Sequence, residues 1–267
     1  MLRLGWISTG RGEGSRGFLE LIQGRIESGD LDARIEFVFS NRERGEAEGS
    51  DRFFDLVEGY RLPLVTLSSS RWRREHGGGP MSKHREPFHA EVMRLISGFS
   101  PDLCVLAGYM LFQSDEMVRR YTAINLHPAL PGGTKGTWQH VIWDLIERKL
   151  SESGVKIHVA TEDWDEGPLL TYCSFPIRGG PFDPLWWEAE GVALDDLKAQ
   201  GEEQPLFKQI RQEGIKRERP LLLETLKALA DGRLKVSGAA ALDAQGARSP
   251  GILLNAEVDR YLAEEAI

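Results

Sequence analysis

The chain has 267 residues, enough for one large domain or two small ones, and its 41% hydrophobic and 28% charged residues are ordinary for a soluble globular protein. A net charge of −8 argues against a broad nucleic-acid face. No run of about 18 apolar residues exists, so no membrane span is expected. Met1–Ile7 is too short for a signal h-region, and the cytoplasm is the default location.

Leu2–Ile7 reads as a first strand, followed by a Gly-rich turn and a helix around Ser15–Ser28. Arg34–Phe39 is a second strand ending in Ser40-Asn41. Residues 42–51 read as a loop, Arg52–Gly59 as a short helix and Leu64–Leu67 as a third strand. Ser68–Met81, with three consecutive glycines, is expected to be a mobile loop. The basic clusters Arg71–Arg74 and Lys83–Arg85 read as solvated loop rather than a binding patch. Arg85–Ser97 is a helix with Phe88, Val92, Leu95 and Ile96 on one face. Asp102–Ala107 and Ala123–Leu126 are strands, and Trp138–Leu150 is a helix. Val155–Thr161 and Leu169–Ile177 are strands joined too briefly for a parallel crossover, which makes that edge antiparallel. Leu206–Asp231 is a helix with Gly232 as its C-cap. The pattern predicts an α/β fold: an open, mostly parallel twisted sheet with helices on both faces, an antiparallel edge strand and a C-terminal helix extension. Residues 1–180 form the catalytic part, 181–204 an insertion, and 205–267 a helix and tail completing the same domain. Cys104 and Cys173 lie inside apolar strands and read as buried thiols. No ligand spacing suits a structural zinc, and no metal is expected.

In an open α/β sheet, ligands bind beyond the carboxyl ends of the strands. Ser8–Gly17, Ser40-Asn41, Ala107–Tyr109 and Asn125–His127 all fall there. Gly12-Glu13-Gly14-Ser15-Arg16-Gly17 matches a dinucleotide-binding pattern, yet the second strand ends in Ser40-Asn41 rather than a ribose-binding acid. Glu13 also opposes a pyrophosphate. A single phosphate on the helix-start amides fits better, held by Gly12, Gly14, Ser15 and Arg16. A purely structural turn stays open as the alternative.

Asn125, His127 and Asp165 form the chemical constellation. An amide can donate to a developing oxyanion, an imidazole can shuttle a proton, and a carboxylate can orient and charge the imidazole. Each alone is more often a turn or surface residue; together at strand ends they point to group transfer.

Asn125-Leu126-His127-Pro128-Ala129-Leu130-Pro131, then His158-Val159-Ala160-Thr161, then Asp165-Glu166-Gly167-Pro168, resemble the signature of the 10-formyltetrahydrofolate-dependent formyltransferase family. Phe39-Ser40-Asn41 and Val105-Leu106-Ala107-Gly108-Tyr109-Met110 are similar to two upstream family segments. Ala230-Asp231-Gly232-Arg233-Leu234-Lys235 resembles the tail of the members that act on glycinamide ribonucleotide. The resemblance covers about residues 1–180 and 205–250. It implies formyl transfer from 10-formyltetrahydrofolate, as co-substrate, to the primary amine of glycinamide ribonucleotide in purine biosynthesis.

By the same resemblance Asn125, His127 and Asp165 are catalytic and His158 supports them. The backbones of Leu103–Phe112 and Ala160–Asp165 make the pterin pocket, centred on Leu106, Ala107, Gly108, Tyr109, Met110 and Leu111, with Ala160 and Thr161. A family glutamate at the ribose falls at Glu213 or Glu218, with Glu213 favoured.

This chain departs from the family in a longer, Arg-containing first loop, in one Leu fewer after His127, and in the insertion. Partners are expected to be two small molecules, with no nucleic acid and no membrane, and with a homodimer allowed for. Trp186-Trp187 suit a cleft cap, a sheet-edge cover or a dimer contact. Rival readings are transfer to another amine such as an amino-sugar nucleotide, hydrolysis of the donor, and a non-catalytic nucleotide-binding module. The start of the chain at its first strand disfavours the hydrolases, which usually carry an N-terminal regulatory domain. The want of a basic C-terminal RNA-binding domain disfavours tRNA formylation.

Overall fold

The computed structural model describes residues 1–163 and 165–265. The elements run β1 (Leu2–Ser8), α1 (Glu13–Glu27), β2 (Ala33–Ser40), α2 (Glu48–Gly59), β3 (Leu64–Thr66), α3 (Ser69–Glu75), α4 (Arg85–Leu95), β4 (Leu103–Leu106), α5 (Asp115–Arg120), β5 (Ala123–His127), α6 (Trp138–Glu147), β6 (Glu152–Val159), β7 (Leu169–Pro176), α7 (Phe182–Ala189), α8 (Leu194–Ala199), α9 (Pro205–Ala230), β8 (Leu234–Ser237), β9 (Ala240–Asp243), β10 (Ile252–Leu253) and α10 (Asn255–Glu265). The last two residues of the 205–267 segment lie outside the described residues, as does Trp164 within the expected Ala160–Asp165 pocket segment.

Eight strands form one sheet in the order β10-β7-β6-β5-β4-β1-β2-β3, with helices on both sides. The pairs β1–β2, β1–β4, β2–β3, β4–β5 and β7–β10 are parallel. The short connection makes β6–β7 antiparallel, as expected from its length. The sheet does not end there: β10, a two-residue strand from the tail, pairs with β7 and covers that edge.

By compactness the chain separates into two units. One comprises 1–125, 159–168 and 226–248; the other comprises 126–158, 169–225 and 249–267. The core of the first packs α4 on the strands through Phe88, Val92 and Ile96, one face of the helix, against Ile7, Phe37, Phe39 and Cys104. Burying each of the Phe, Val and Ile side chains contributes roughly 1.5–3 kcal/mol. Gly5 in β1 is required by this packing, since a Cβ there would lie 2.7 Å from both Cys104 Sγ and the Phe37 ring. Burial pushes the Cys104 thiol up to about 12 and Cys173 up to about 11, so neither is a ready nucleophile.

Within Ser68–Met81, expected as a mobile loop, Ser69–Glu75 is a helix, while Gly77–Gly79 stay outside it. Ser68 accepts from the Arg71 amide and caps α3, and Trp72 stacks on His76 at 4.0 Å while its edge meets Phe88. The aromatic pair packs the helical part of the segment against α4.

In the second unit α6 supplies Val141, Ile142, Leu145 and Ile146 to a core shared with Trp186, Leu197, Phe207 and Ile210. The 181–204 segment, expected as an insertion, therefore contributes to a hydrophobic core. Trp186 is buried and donates through Nε1 to the Ile177 carbonyl, and Arg178 lies over its ring at 3.6 Å. Trp187, its neighbour, is 79% exposed.

Candidate active site

In the first unit, the ends of β1 and β4 are fastened to each other. Ser8 Oγ donates to the Ala107 carbonyl at 2.6 Å, the Thr9 amide to the Gly108 carbonyl at 3.2 Å, and the Met110 amide to Thr9 Oγ1 at 3.1 Å. Gly108 has φ +74°, and a Cβ on it would lie 2.6 Å from Ser15 Oγ. Only glycine meets both demands, a left-handed turn and contact with the start of α1. The loop presents Met110, 76% exposed, as an apolar surface at the strand end, whereas Ala107 is buried. Leu106 pairs with Asn125, so the head of the expected pterin segment and the amide expected to be catalytic are register partners on adjacent parallel strands. The Ala160 amide donates to Ala123 O, which sets Ala160–Thr161 beside β5 as well.

Asp165 is buried and adopts φ +58°, the left-handed region that a non-glycine residue enters at a cost. Two residues on, a Cβ at Gly167 would lie 1.7 Å from the Val159 carbonyl oxygen. The Val159 amide donates to the Pro168 carbonyl at 2.9 Å. Asp-Glu-Gly-Pro is thus a tight reversal that returns the chain onto the end of β6 and fixes the position of the carboxylate.

The six-residue glycine pattern is divided by the fold. Gly12 is the N-cap of α1 and offers no side-chain oxygen to the first turn, while Gly14 has open space around it. These are the conditions for an anion on the first-turn amides. Gly17 lies inside α1 on its buried face, Ser15 is buried against Gly108, and Arg16 donates to the Gly49 carbonyl at 3.2 Å. Asn41 at the end of β2 is buried and donates to Ser69 Oγ at 3.0 Å, fastening α3.

The second unit carries the imidazoles. His127 ends β5 and is buried, with Nε2 2.8 Å from the Thr134 carbonyl oxygen. A carbonyl only accepts, so Nε2 carries the proton in both the neutral and the cationic ring. Thr134 is itself held by its hydroxyl on Asp144, whose carboxyl is drawn below its usual range by that bond and by Arg148. His158 is buried near the end of β6, where the β6–β7 register slips between Ile157 and His158. Glu213 stands in the first half of α9 with Lys216 at 2.6 Å and Arg217 at 2.9 Å. Partial burial pushes its carboxyl up, but those two cations outweigh it and bring it below the usual range. Glu218 is paired with Arg211.

The first unit thus gathers Gly12–Arg16, Leu106–Leu111, Asn125 and Ala160–Asp165; His127, His158 and Glu213 belong to the second. Sequence analysis missed Thr9, Thr134 and Asp144. None sits in a recognisable spacing, because each acts through a hydrogen bond to a residue distant in sequence or through its backbone. Among the described residues no group of three or more His, Cys, Asp or Glu side chains is placed to hold a metal ion. Among them, too, no helix is long and apolar enough to cross a membrane.

This is a protein of the open-sheet α/β class, and candidate polar residues stand at the carboxyl ends of β1, β4 and β5. A family model described as formyl transferase matches residues 12–179, more than half of the chain. Phosphoribosylglycinamide formyltransferase of Dictyostelium discoideum is 30% identical over 177 residues, which is 62% of this chain and 81% of that protein. The crystal structure of glycinamide ribonucleotide transformylase 1 from Symbiobacterium toebii superposes with a TM-score of 0.63 at 21% identity, covering 90% of this chain and 93% of that one. A formyltetrahydrofolate deformylase from Pseudomonas syringae shares the fold comparably, with a TM-score of 0.62 at 21% identity over 91% of this chain and 65% of that one. The chain belongs to the formyl transferase family. It is accordingly an enzyme of formyl-group transfer, and the matched segment contains Asn125, His127, His158 and Asp165.

Proposed function

We propose that this enzyme transfers the formyl group of 10-formyltetrahydrofolate to the primary amine of glycinamide ribonucleotide, a step of purine biosynthesis. The observation that carries this reading is the likeness to the Dictyostelium enzyme of that name over four fifths of its length. Transfer to another amine and hydrolysis of the donor would use the same fold, so the acceptor rests on that likeness and on the first loop.

In the proposed reaction the amine nitrogen bonds to the formyl carbon, and the carbonyl oxygen takes up negative charge. The Asn125 side-chain amide donates to that oxygen, a contribution of roughly 3–4 kcal/mol for one well-placed donor. His127, with Nε2–H held by Thr134, adds a second donor when its ring is protonated. Asp165 favours the protonated imidazole and passes the proton lost by the amine to N10 of the folate as the bond from N10 to the formyl carbon breaks. His158 steadies this set. Leu106–Leu111 with Ala160 and Thr161 hold the pterin, and the exposed Met110 supplies an apolar face for it. The α1 start at Gly12, Gly14, Ser15 and Arg16 takes the ribose phosphate. Glu213 serves the ribose only if its carboxylate leaves Lys216 and Arg217.

The test is an acceptor screen with 10-formyltetrahydrofolate, read by release of tetrahydrofolate. Turnover that requires glycinamide ribonucleotide supports the reading, and turnover with another amine alone replaces it. Release without any acceptor favours hydrolysis, the reading to which the deformylase likeness lends weight. A homodimer in the cytoplasm completes the proposal; sedimentation equilibrium showing only monomer removes the dimer.

A further inference from the structure

Ala107, Gly108 and Met110 are fixed by bonds to the end of β1, through Ser8 and Thr9. Tyr109 lies between them and is fastened differently. Its hydroxyl is 3.0 Å from Nε2 of His89, a fully buried imidazole on α4. Nδ1 of the same ring is 2.9 Å from the Arg85 carbonyl oxygen. That carbonyl accepts only, so Nδ1 carries the proton; Nε2 of the neutral ring then accepts, and the phenol donates. The ring packs edge-on to Phe88 and to Tyr109, with centroids at 5.4 Å and 6.2 Å, so it has little room to turn. Burial lowers the imidazole to about 4 and raises the phenol, which keeps both neutral at ordinary pH. The first turn of α4 also grips the next part of the loop, with Arg85 4.8 Å over the Phe112 ring and 3.0 Å from Asp115.

We propose that His89 is a positioning residue for formyl-donor binding: as a neutral Nδ1–H tautomer it accepts from Tyr109 and holds the Gly108–Leu111 backbone in the shape that receives the pterin. This rests on the reading of that loop as the donor pocket. His89 touches no substrate and acts through Tyr109. Its absence would free one side chain of the loop, so donor affinity falls while the chemical step is kept.

Two substitutions separate the bond from mere packing. In His89→Gln the amide reaches as far as the imidazole Nε2 and retains an acceptor for the phenol; in His89→Asn it reaches only as far as Nδ1. His89→Asn is expected to raise the donor KM and the Kd of a non-transferable folate analogue about tenfold, with kcat and acceptor KM within about twofold. His89→Gln stays near the unsubstituted enzyme. Tyr109→Phe reproduces the effect of His89→Asn, and the double variant His89→Asn/Tyr109→Phe is no worse than either single one. Amide hydrogen exchange over residues 108–112 rises in His89→Asn and not in His89→Gln.

Normal analogue binding by His89→Asn overturns the proposal, as does an equal loss in His89→Gln and His89→Asn. Failure of the unsubstituted enzyme to bind the analogue sinks the donor-pocket reading instead. The exchange data then still decide whether His89 holds the loop.

Discussion

Nε2 of His127 lies 2.8 Å from the carbonyl oxygen of Thr134, which leaves Nδ1 as the nitrogen whose protonation switches the ring between neutral and cationic. The Thr134 hydroxyl on Asp144 keeps that carbonyl in place. The imidazole is therefore oriented by a loop seven residues on and an acid in the following helix, neither of which announces itself in the sequence.

Removing the ring should cost the chemistry rather than the binding. His127→Ala is expected to lower kcat by about 10²–10⁴ with the donor KM little changed, measured by steady-state formyl transfer. Thr134→Val, which releases the loop from Asp144, should give a smaller loss, about tenfold, in the same assay.

Asn125 is a register partner of Leu106 and so is carried by the sheet itself. Asn125→Ala should lower kcat by about 10²–10³ without moving the melting temperature. An active Asn125→Ala variant would remove the oxyanion role.

At the Asp-Glu-Gly-Pro turn the two demands come apart. Asp165→Asn keeps the size of the side chain and its tolerance of φ +58°, so it should abolish most activity and leave stability intact. Gly167→Ala brings a methyl against the Val159 carbonyl and should destabilise by about 2–3 kcal/mol or more, seen in urea unfolding.

Buried His89 makes stability depend on pH. Its imidazole falls from 6.5 to about 4 through burial, which the bond to the Arg85 carbonyl and the nearby Glu86 only partly offset. Between those values the unfolded chain binds a proton that the folded chain does not. Stability is thus full above pH 6.5 and falls as pH drops toward 4, by about 3 kcal/mol in all. His89→Gln should flatten urea-derived stability over that window.

In the insertion, Trp186 and Trp187 should behave oppositely. Trp186 is buried with its indole N–H on Ile177, and Trp186→Ala should cost about 3–5 kcal/mol. Trp187 is 79% exposed, and Trp187→Ser should leave the melting temperature unchanged.

Hydrophobic periodicity and strand-end polarity are local properties. The alternating α/β order, the antiparallel β6–β7 pair and the candidates Asn125, His127 and Asp165 are therefore all legible in the chain alone. So is Gly232 as the end of α9, where it adopts φ +78°. Pairings across long separations are not. β10 at the sheet edge is too short to carry a periodic signal, and the contact of Trp72 in α3 with Phe88 in α4 joins residues sixteen positions apart. The burial of Trp186 against Ile177 and Arg178 and the tether from His89 to Tyr109 are likewise contacts, not patterns. The family and the candidate reactive groups follow from the order of residues, because a chemical group and its place at a strand end are properties of a few adjacent positions. How each group is aimed is left to the folded chain, because a hydrogen-bond partner is selected by proximity in space, which no spacing along the chain encodes.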